Sequence, residues 1–152
     1  MRIKQTSVFL ENKPGHLQNV LKILGENDIN IRTLTIAEVS DFGIVRMIVD
    51  KPEMAHKVLK AENVTSSVTE VLGIGIEDTP GSLYKTIEYF KDNDINIEYM
   101  YAFPEKKDGK AVMIFRFEDI DKAQEVFAEH GFNVLKKIDI IGDESNEQSS
   151  SW

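Results

Sequence analysis

The stretch Asn27-Asp28-Ile29-Asn30-Ile31 recurs unchanged as Asn93-Asp94-Ile95-Asn96-Ile97, 66 positions further along the chain. A second pair of stretches has the same spacing, because Glu11-Asn12-Lys13-Pro14-Gly15-His16-Leu17 resembles Glu77-Asp78-Thr79-Pro80-Gly81-Ser82-Leu83. Repetition at a fixed spacing is typical of a duplicated structural unit. The two matches therefore predict that the chain contains two copies of one fold.

The spacing between matching residues grows from 66 to 68 towards the end of each copy. Further matches pair Val45 with Val112 and Met47 with Ile114 at 67, then Ala55 with Ala123, Val58 with Val126 and Leu59 with Phe127 at 68. This drift needs only two small insertions, which we expect to lie in loops.

The hydrophobic pattern of each copy predicts the order strand, helix, strand, strand, helix, strand. Leu17, Val20, Leu21 and Leu24 have the spacing of one helical stripe, and the residues after Ile29 alternate as in a strand. The elements predicted for the first copy are a strand over 7–10, a helix around 17–24, strands over 29–39 and 44–49, a short helix around 55–59 and a strand over 64–72.

The second copy follows the same order. Its predicted elements are a strand around 73–76, a helix around 83–90, strands over 95–103 and 111–117, a helix over 121–130 and a closing strand over 132–141. Strict alternation predicts that one strand face carries Ile29, Ile31, Thr33, Thr35 and Ala37, and its counterpart carries Ile95, Ile97, Tyr99, Tyr101 and Phe103. The Gly73-Ile74-Gly75 stretch is interpreted as a flexible join in the strand that links the copies.

This element order is that of the ferredoxin-like βαββαβ fold, an α+β class with an antiparallel sheet and both helices on one face. We expect one such domain over 1–72 and a second over 73–141. Residues 142–152 are acidic and rich in serine without periodicity, which predicts a disordered tail.

Composition excludes several function classes. The 152 residues carry a net charge of −8, which disfavours nucleic acid and anionic membranes as partners. Cysteine is absent, so the sequence offers no disulfide, thiolate metal site or cysteine nucleophile. No apolar run approaches the roughly 20 residues of a membrane span, and the N-terminus lacks a signal core. These features predict a cytoplasmic protein.

Catalytic and metal-binding motifs are also lacking in the sequence. The three histidines, His16, His56 and His130, are dispersed and have no metal-ligand partner at the next helical turn. No Ser-His-acid order or paired-carboxylate motif stands out. We therefore expect no catalytic residue, no metal, no cofactor and no enzymatic activity.

The two Pro-Gly loops lie where the first strand of each copy leads into its first helix. Proline suits the first helical turn, and the following glycine removes a side chain that would block a ligand. The predicted site places the free N–H groups of one loop at the positive end of the helix dipole. These donors are Gly15, His16 and Leu17 in one copy and Gly81, Ser82 and Leu83 in the other.

A carboxylate bound at such a loop would lie next to acceptors for an ammonium group, namely Glu11 and Asn12 or Glu77 and Asp78. That combination suits a free α-amino acid. An alternative interpretation remains open, in which Pro-Gly only begins the helix and Asn12 or Asp78 only caps it.

The doubled pattern of an acidic strand end, Pro-Gly-x-Leu and then Asn-Asp-Ile-Asn-Ile resembles the ACT domain over 3–72 and 73–141. The chain is also similar to small free-standing tandem-ACT proteins, sometimes labelled acetolactate synthase regulatory proteins. The stretches that resemble this group are Ala37-Glu38, Asp41-Phe42-Gly43-Ile44 and Ile97-Glu98-Tyr99-Met100-Tyr101.

The resemblance implies a regulatory sensor that binds an amino acid, branched-chain or aromatic, at an interface between two units. The loop contacts implied are Asn12, Pro14, Gly15, His16 and Leu17, with Asp78, Pro80, Gly81, Ser82 and Leu83 in the second loop. The contacts implied from the opposite unit are Asn30, Ile31, Asn96 and Ile97. The resemblance also implies a homodimer.

A second function class stays open at this stage. The chain would then be a non-catalytic interaction subunit of an amino-acid biosynthetic enzyme, such as acetolactate synthase, without a ligand of its own. Sheet pairing and the aromatic residues Tyr99, Tyr101 and Phe103 favour this alternative.

Overall fold

The computed structural model describes residues 1–142, so the predicted tail over 142–152 lies outside the described residues except for Gly142. The elements in chain order are β1 (Ile3–Glu11), α1 (His16–Glu26), β2 (Ile31–Val39), β3 (Phe42–Val49), α2 (Pro52–Ala61), β4 (Ser66–Ile76), α3 (Ser82–Asp92), β5 (Ile97–Lys107), β6 (Lys110–Phe117), α4 (Ile120–His130) and α5 (Lys137–Ile141). The α+β class and the two ferredoxin-like units are confirmed.

The chain divides into two compact units, and each unit includes a segment from the far end of the chain. Of the described residues, the first unit comprises Lys4–Thr69 with residues 140–142, and the second comprises Met1–Ile3 with Glu70–Asp139. In the first unit, Arg32 Nε donates to the Ile140 carbonyl at 2.9 Å.

The N-terminal segment of the second unit is held by Arg2. Its Nε donates to Gln124 Oε1 at 2.7 Å, and its guanidinium also pairs with Glu70 and Asp121. Ile3, the next residue, is fully buried.

The first unit has the strand order β2-β3-β1-β4. β3 is antiparallel to both neighbours, with Val8 opposite Val45 and Leu34 opposite Met47. Apolar side chains of α1 and α2 pack on one face of these strands and form a core. Its fully buried members are Val8, Leu24, Val45, Met47, Val49, Ala55 and Leu59.

The second unit has the order β4-β6-β5, with α3 and α4 packed on one face. Its core is aromatic where the first is aliphatic. Phe90 of α3 has ring centroids 5.4 Å from Phe115, 5.5 Å from Phe117 and 5.2 Å from Phe127.

The predicted closing strand over 132–141 is wrong. The chain beside β4 forms a single bridge, Ile74 with Val134, and then turns into α5. Local hydrogen bonds favour the helix, because Lys136 N donates to Asp139 Oδ2 and Asp139 N donates to the Lys136 carbonyl, both at 3.0 Å. A short apolar run cannot distinguish strand from helix by periodicity.

The predicted single face of each alternating run is also wrong, because both strands contain a register shift at the same place. Ile31 lies opposite Val49, but Thr33 lies opposite Ile48, whose side chain points to the other face. The same shift follows Ile97 in β5, between residues 97 and 99. An extra residue in one strand reverses the alternation.

The alignment of the two copies needs one correction. Val8 lies opposite Val45, and Ile74, 66 positions after Val8, lies opposite Met113. The counterpart of Val45 is therefore Met113 at 68, and the predicted match to Val112 at 67 is wrong. The match of Met47 to Ile114 is wrong for the same reason, because Thr6 lies opposite Met47 and Leu72 lies opposite Phe115. A slip of one residue in a strand moves side chains to the opposite face. Both extra residues thus lie within β5, which has 11 residues where β2 has 9, at the register shift between Phe103 and Lys107. The expectation that the insertions lie in loops is therefore wrong.

Gly75 is a site of close approach in a regular strand, and the interpretation of its stretch as a flexible join is wrong. Gly75 lies opposite Val112, and its N–H donates to the Asn133 carbonyl at 2.9 Å. A Cβ at this position would lie 2.4 Å from Asn133 Nδ2. The missing side chain therefore makes room for Asn133.

We expect Gly75→Ala to lower the free energy of unfolding by about 1–3 kcal/mol through overpacking. Adding Asn133→Ala to it should recover part of the loss, measured by urea unfolding. The control is Gly25→Ala, since a Cβ there meets nothing within 4 Å and lies in α1. That control should stabilise the protein by about 0.5–1 kcal/mol. Equal midpoints for Gly75→Ala and the parent would contradict the close approach.

Candidate functional site

Each Pro-Gly loop ends at a glycine that serves as the helix N-cap. Gly15 precedes α1 with φ 90°, and Gly81 precedes α3 with φ 84°. Neither helix start has a side-chain cap. The part of the alternative interpretation in which Asn12 or Asp78 caps the helix is therefore wrong.

The glycines are required by backbone conformation. A left-handed φ is disfavoured for residues that carry a Cβ, whereas glycine adopts it readily. A Cβ on Gly15 or Gly81 would meet no atom within 4 Å, so neighbouring atoms do not demand glycine. Space for a ligand is therefore not the only reason for glycine at these two positions, because the backbone conformation favours glycine even without a ligand.

Part of the predicted set of free donors is used inside the turn. The N–H of His16 donates to the Lys13 carbonyl at 3.3 Å, and that of Ser82 to the Thr79 carbonyl at 3.2 Å. The prediction that these two groups are free is wrong. The N–H groups of Leu17 and Leu83 remain in the first turn, where helical N–H groups have no acceptor in the helix.

The side chain of Ser82 is also engaged, because its Oγ lies 2.5 Å from Thr79 Oγ1. The remaining residues of the second loop are exposed, among them Pro80, Gly81 and Leu83. In the first loop, Asn12, Pro14 and Gly15 are exposed and His16 and Leu17 are half-buried. Both helix starts are therefore accessible.

Lysines accompany the acidic residues that were predicted to accept an ammonium group. Glu11 pairs with Lys13 at 2.8 Å, Asp78 with Lys106 at 2.7 Å and Glu77 with Lys110 at 3.4 Å. The hydrogen bond from Lys106 lowers the pKa of the Asp78 carboxyl, and that from Lys13 lowers the pKa of Glu11. Both carboxylates are therefore charged and already paired.

Lys106 and Lys110 are loop neighbours that sequence reasoning missed. They belong to the hairpin that β5 and β6 form. The available signal was the run Lys106-Lys107-Asp108-Gly109-Lys110, which has no equivalent in the first copy. There the hairpin contributes backbone, since Asn12 N donates to the Asp41 carbonyl at 2.9 Å.

The repeated Asn-Asp-Ile-Asn-Ile stretch, which supplies the other predicted ligand contacts, also has roles in local structure. Asn27 Nδ2 donates to the Ile23 carbonyl at 2.8 Å, and Asn93 Nδ2 to the Tyr89 carbonyl at 2.9 Å. These bonds satisfy carbonyls at the helix ends, which lack helical partners. The next residue, Asp28 or Asp94, has φ 57° or 54° and redirects the chain.

Asn30 and Asn96 form hydrogen bonds just before the starts of β2 and β5. The backbone N–H of Asn30 donates to Asp50 Oδ1, and Asn96 Nδ2 donates to Glu118 Oε2, both at 2.9 Å. Ile31 and Ile97 follow as the first strand residues and pack against the cores of their own units.

The structure does not bring the loop and the Asn-Ile stretch together within one unit. Glu11 lies opposite Phe42 at one end of β3, and Ile31 lies opposite Val49 at the other. These pairs lie seven positions apart along β3, roughly 23 Å at about 3.3 Å per residue. A site that combines both stretches therefore requires two units.

The family model of the ACT domain pair matches residues 1–146. The chain belongs to this family. ACT domains are regulatory, and the match indicates no catalytic family. No curated protein sequence matches the ACT pair.

Solved structures resemble the ACT pair along most of its length. Protein BT0572 from Bacteroides thetaiotaomicron is 38% identical with a TM-score of 0.85, over 93% of this chain and 96% of that one. The ligand-free regulatory subunit of aspartate kinase from Thermus thermophilus is 16% identical with a TM-score of 0.60, over 84% and 91%. At that identity the second likeness shows the fold alone.

A third similar structure is the aspartate kinase of Clostridium acetobutylicum. It is 14% identical with a TM-score of 0.51, and the match covers 86% of the ACT pair and 32% of the enzyme. Within the described part of the ACT pair, no helix is long and apolar enough to cross a membrane. The same residues contain no group of three side chains suited to holding a metal ion.

Proposed function

We propose that this ACT pair is a regulatory sensor that binds a free amino acid at its Pro-Gly loops. The observation that carries the proposal is the helix start that both units share. Each follows a left-handed glycine, has no side-chain cap and is accessible to solvent. A helix start in this state attracts an anionic group such as an α-carboxylate.

Two units are needed to complete the proposed site. The loop and the Asn-Ile stretch lie at opposite ends of each unit, so the ligand would contact the loop of one unit and Asn30-Ile31 or Asn96-Ile97 of another. We propose that a cytoplasmic homodimer supplies this pairing. The ligand then favours the paired arrangement because its affinity for paired units is higher than its affinity for unpaired units.

The two loops differ in charge and therefore in the ligand they favour. At the second loop, the carboxylates of Asp78 and Glu77 pair with Lys106 and Lys110. The first loop has the uncharged Asn12 in place of Asp78, and its charged residues are Glu11 and Lys13, which pair with each other. A ligand ammonium at the second loop competes with Lys106 for Asp78. We propose that this loop selects ligands whose ammonium and carboxylate engage Asp78 and the helix start together.

A thermal-shift screen against the twenty amino acids tests the proposal. Ligand at 100 times its Kd stabilises the native state by about 2.7 kcal/mol. For a protein of this size we expect the Tm to rise by about 5–10 °C with one amino acid or one side-chain class. A flat panel, repeated by calorimetric titration with the same result, would exclude amino-acid sensing.

An interaction subunit of a biosynthetic enzyme is the second candidate. It is favoured by apolar side chains on the helix-free face of the first unit, where Phe9 is 45% exposed and Phe42 is 58% exposed. Phe9 lies opposite Ile44, and Phe42 precedes Ile44 by two positions along β3, so the two phenylalanines lie on the same face. Stoichiometric co-purification of a large catalytic subunit, lost in Phe9→Ser/Phe42→Ser, would support this candidate.

A further inference from the structure

A pocket of about 460 Å³ lies in the first unit, between the C-terminal end of α2 and the start of β4. Its lining is formed by His56, Lys60, Asn63, Val64, Thr65 and Ser66. None of these residues belongs to the Pro-Gly loops or to the Asn-Ile stretches. We propose that this pocket binds the phosphoryl group of a small metabolite.

The charges of the lining residues favour an anion. It offers an ammonium, an imidazole, an amide and two hydroxyl groups, and no carboxylate is among the lining residues. The whole chain has 26 acidic against 18 basic residues, so such a lining departs from the average surface. A local concentration of donors without acidic groups attracts anions.

The pocket is held in shape by hydrogen bonds from both elements. His56 Nδ1 lies 2.8 Å from Ser66 Oγ, which joins α2 to β4 and orients the imidazole. Asn63, with φ 60°, donates its N–H to the Lys60 carbonyl at 3.1 Å, and Val64 N donates to the Leu59 carbonyl at 2.9 Å.

The same turn reduces the repulsion that an anion meets at a helix C-terminus. Carbonyl groups at a helix C-terminus repel anions when they point into solvent. Here the carbonyls of Leu59 and Lys60 accept hydrogen bonds from the turn, which compensates part of their negative charge. Lys60 adds a full positive charge in the last turn of α2.

The second unit shows that the fold does not require these side chains. Its turn is equivalent, because Gly131 has φ 67° and Phe132 N donates to the Phe127 carbonyl at 3.2 Å. At a spacing of 68, however, His56 is replaced by Gln124 and Lys60 by Ala128. An imidazole and a cation at these two positions are therefore features of the first unit.

The number of donors favours a tetrahedral anion over a carboxylate. The donors come from three segments, namely α2, the turn at Asn63 and the chain at the start of β4. A phosphoryl group presents three oxygens to such a set, whereas a carboxylate presents two in one plane.

The test is an NMR titration of the full chain with inorganic phosphate, with glycerol 3-phosphate and with acetate. We expect saturable shifts of the amides of residues 63–66 and of the His56 ring with both phosphates, and weaker binding of acetate. Lys60→Gln and His56→Gln should each weaken phosphate binding several-fold. Lys57→Gln, an exposed change on the same helix outside the lining, should leave it unchanged.

Three outcomes would overturn the proposal. They are a linear response without saturation up to tens of millimolar phosphate, equal phosphate binding by the parent and Lys60→Gln, and acetate binding as tight as that of phosphate. Binding of inorganic phosphate without glycerol 3-phosphate would exclude a metabolite phosphoryl group as the ligand. The amino-acid screen uses other residues, so either proposal can fail while the other stands.

Discussion

Replacement of Phe90 by alanine is expected to lower the free energy of unfolding by about 3–5 kcal/mol. Phe90 is 1% exposed, and its ring lies within 6 Å of four other phenylalanine rings, centroid to centroid. Removal of its ring leaves a cavity that the surrounding rigid aromatic side chains cannot fill. The loss adds the transfer free energy of the ring to the cost of that cavity.

Urea unfolding followed by fluorescence and circular dichroism measures this effect. Tyr84→Ala is the matched control, because Tyr84 lies on the same helix and is 69% exposed. We expect the control to change the free energy of unfolding by about 0.5 kcal/mol or less. A loss of less than about 1 kcal/mol for Phe90→Ala would contradict the packing of the second unit.

The second large effect concerns the proposed ligand. We expect His16→Asp and Ser82→Asp together to weaken amino-acid binding by at least about tenfold, since repulsion between unit charges at 4 Å ranges from about 1 to 4 kcal/mol. Each aspartate would lie at the first helical position, beside the helix start that is proposed to hold the ligand carboxylate. Calorimetric titration with the amino acid identified in the screen gives the Kd.

This pair of changes separates binding from folding. An acidic residue in the first turn stabilises a helix by about 0.3–1 kcal/mol, so the Tm without ligand should not fall. Substitution of Gly15 or Gly81 would not achieve this, because their left-handed φ makes any side chain costly. The control is His16→Asn/Ser82→Asn, which has the same shape without the charge.

The outcomes for the loop variants are distinct. Weak binding by the aspartate pair and near-normal binding by the asparagine pair would support a carboxylate at the helix start. Equal loss in both pairs would point to shape or polarity, and unchanged binding in both would place the ligand elsewhere. A fall in Tm of both pairs without ligand would contradict the accessible helix starts.

Local patterns in the sequence predicted the elements whose partners lie within a few residues. Pro-Gly predicted both helix starts, and both helices end at the repeated Asn-Asp, that is at Asn27-Asp28 and Asn93-Asp94. The structure gives the reason, because each asparagine bonds a carbonyl four residues back. Such contacts depend on neighbours in the chain, so a single sequence contains the information that they need.

Features that depend on a strand partner were predicted incorrectly. The register shifts after Ile31 and Ile97 exist only relative to β3 and β6, and alternation along one strand does not reveal them. The same holds for Val45 and Met47, whose predicted counterparts are each wrong by one residue. The lysine partners of Asp78 and Glu77 lie about 30 positions away in the chain and come together with them only after folding.

The sequence by itself determined the duplication, the element order, the ferredoxin-like class and the two loops, because short-range geometry and hydrophobic periodicity specify them. Only the tertiary structure decided the faces of β2 and β5, the helix at Lys137–Ile141 and the groups that surround each loop. It also revealed the exchange of terminal segments between units and the pocket at His56. The strand faces, the lysines at the second loop and the terminal segments depend on residues far apart in the chain, and packing alone brings such residues together.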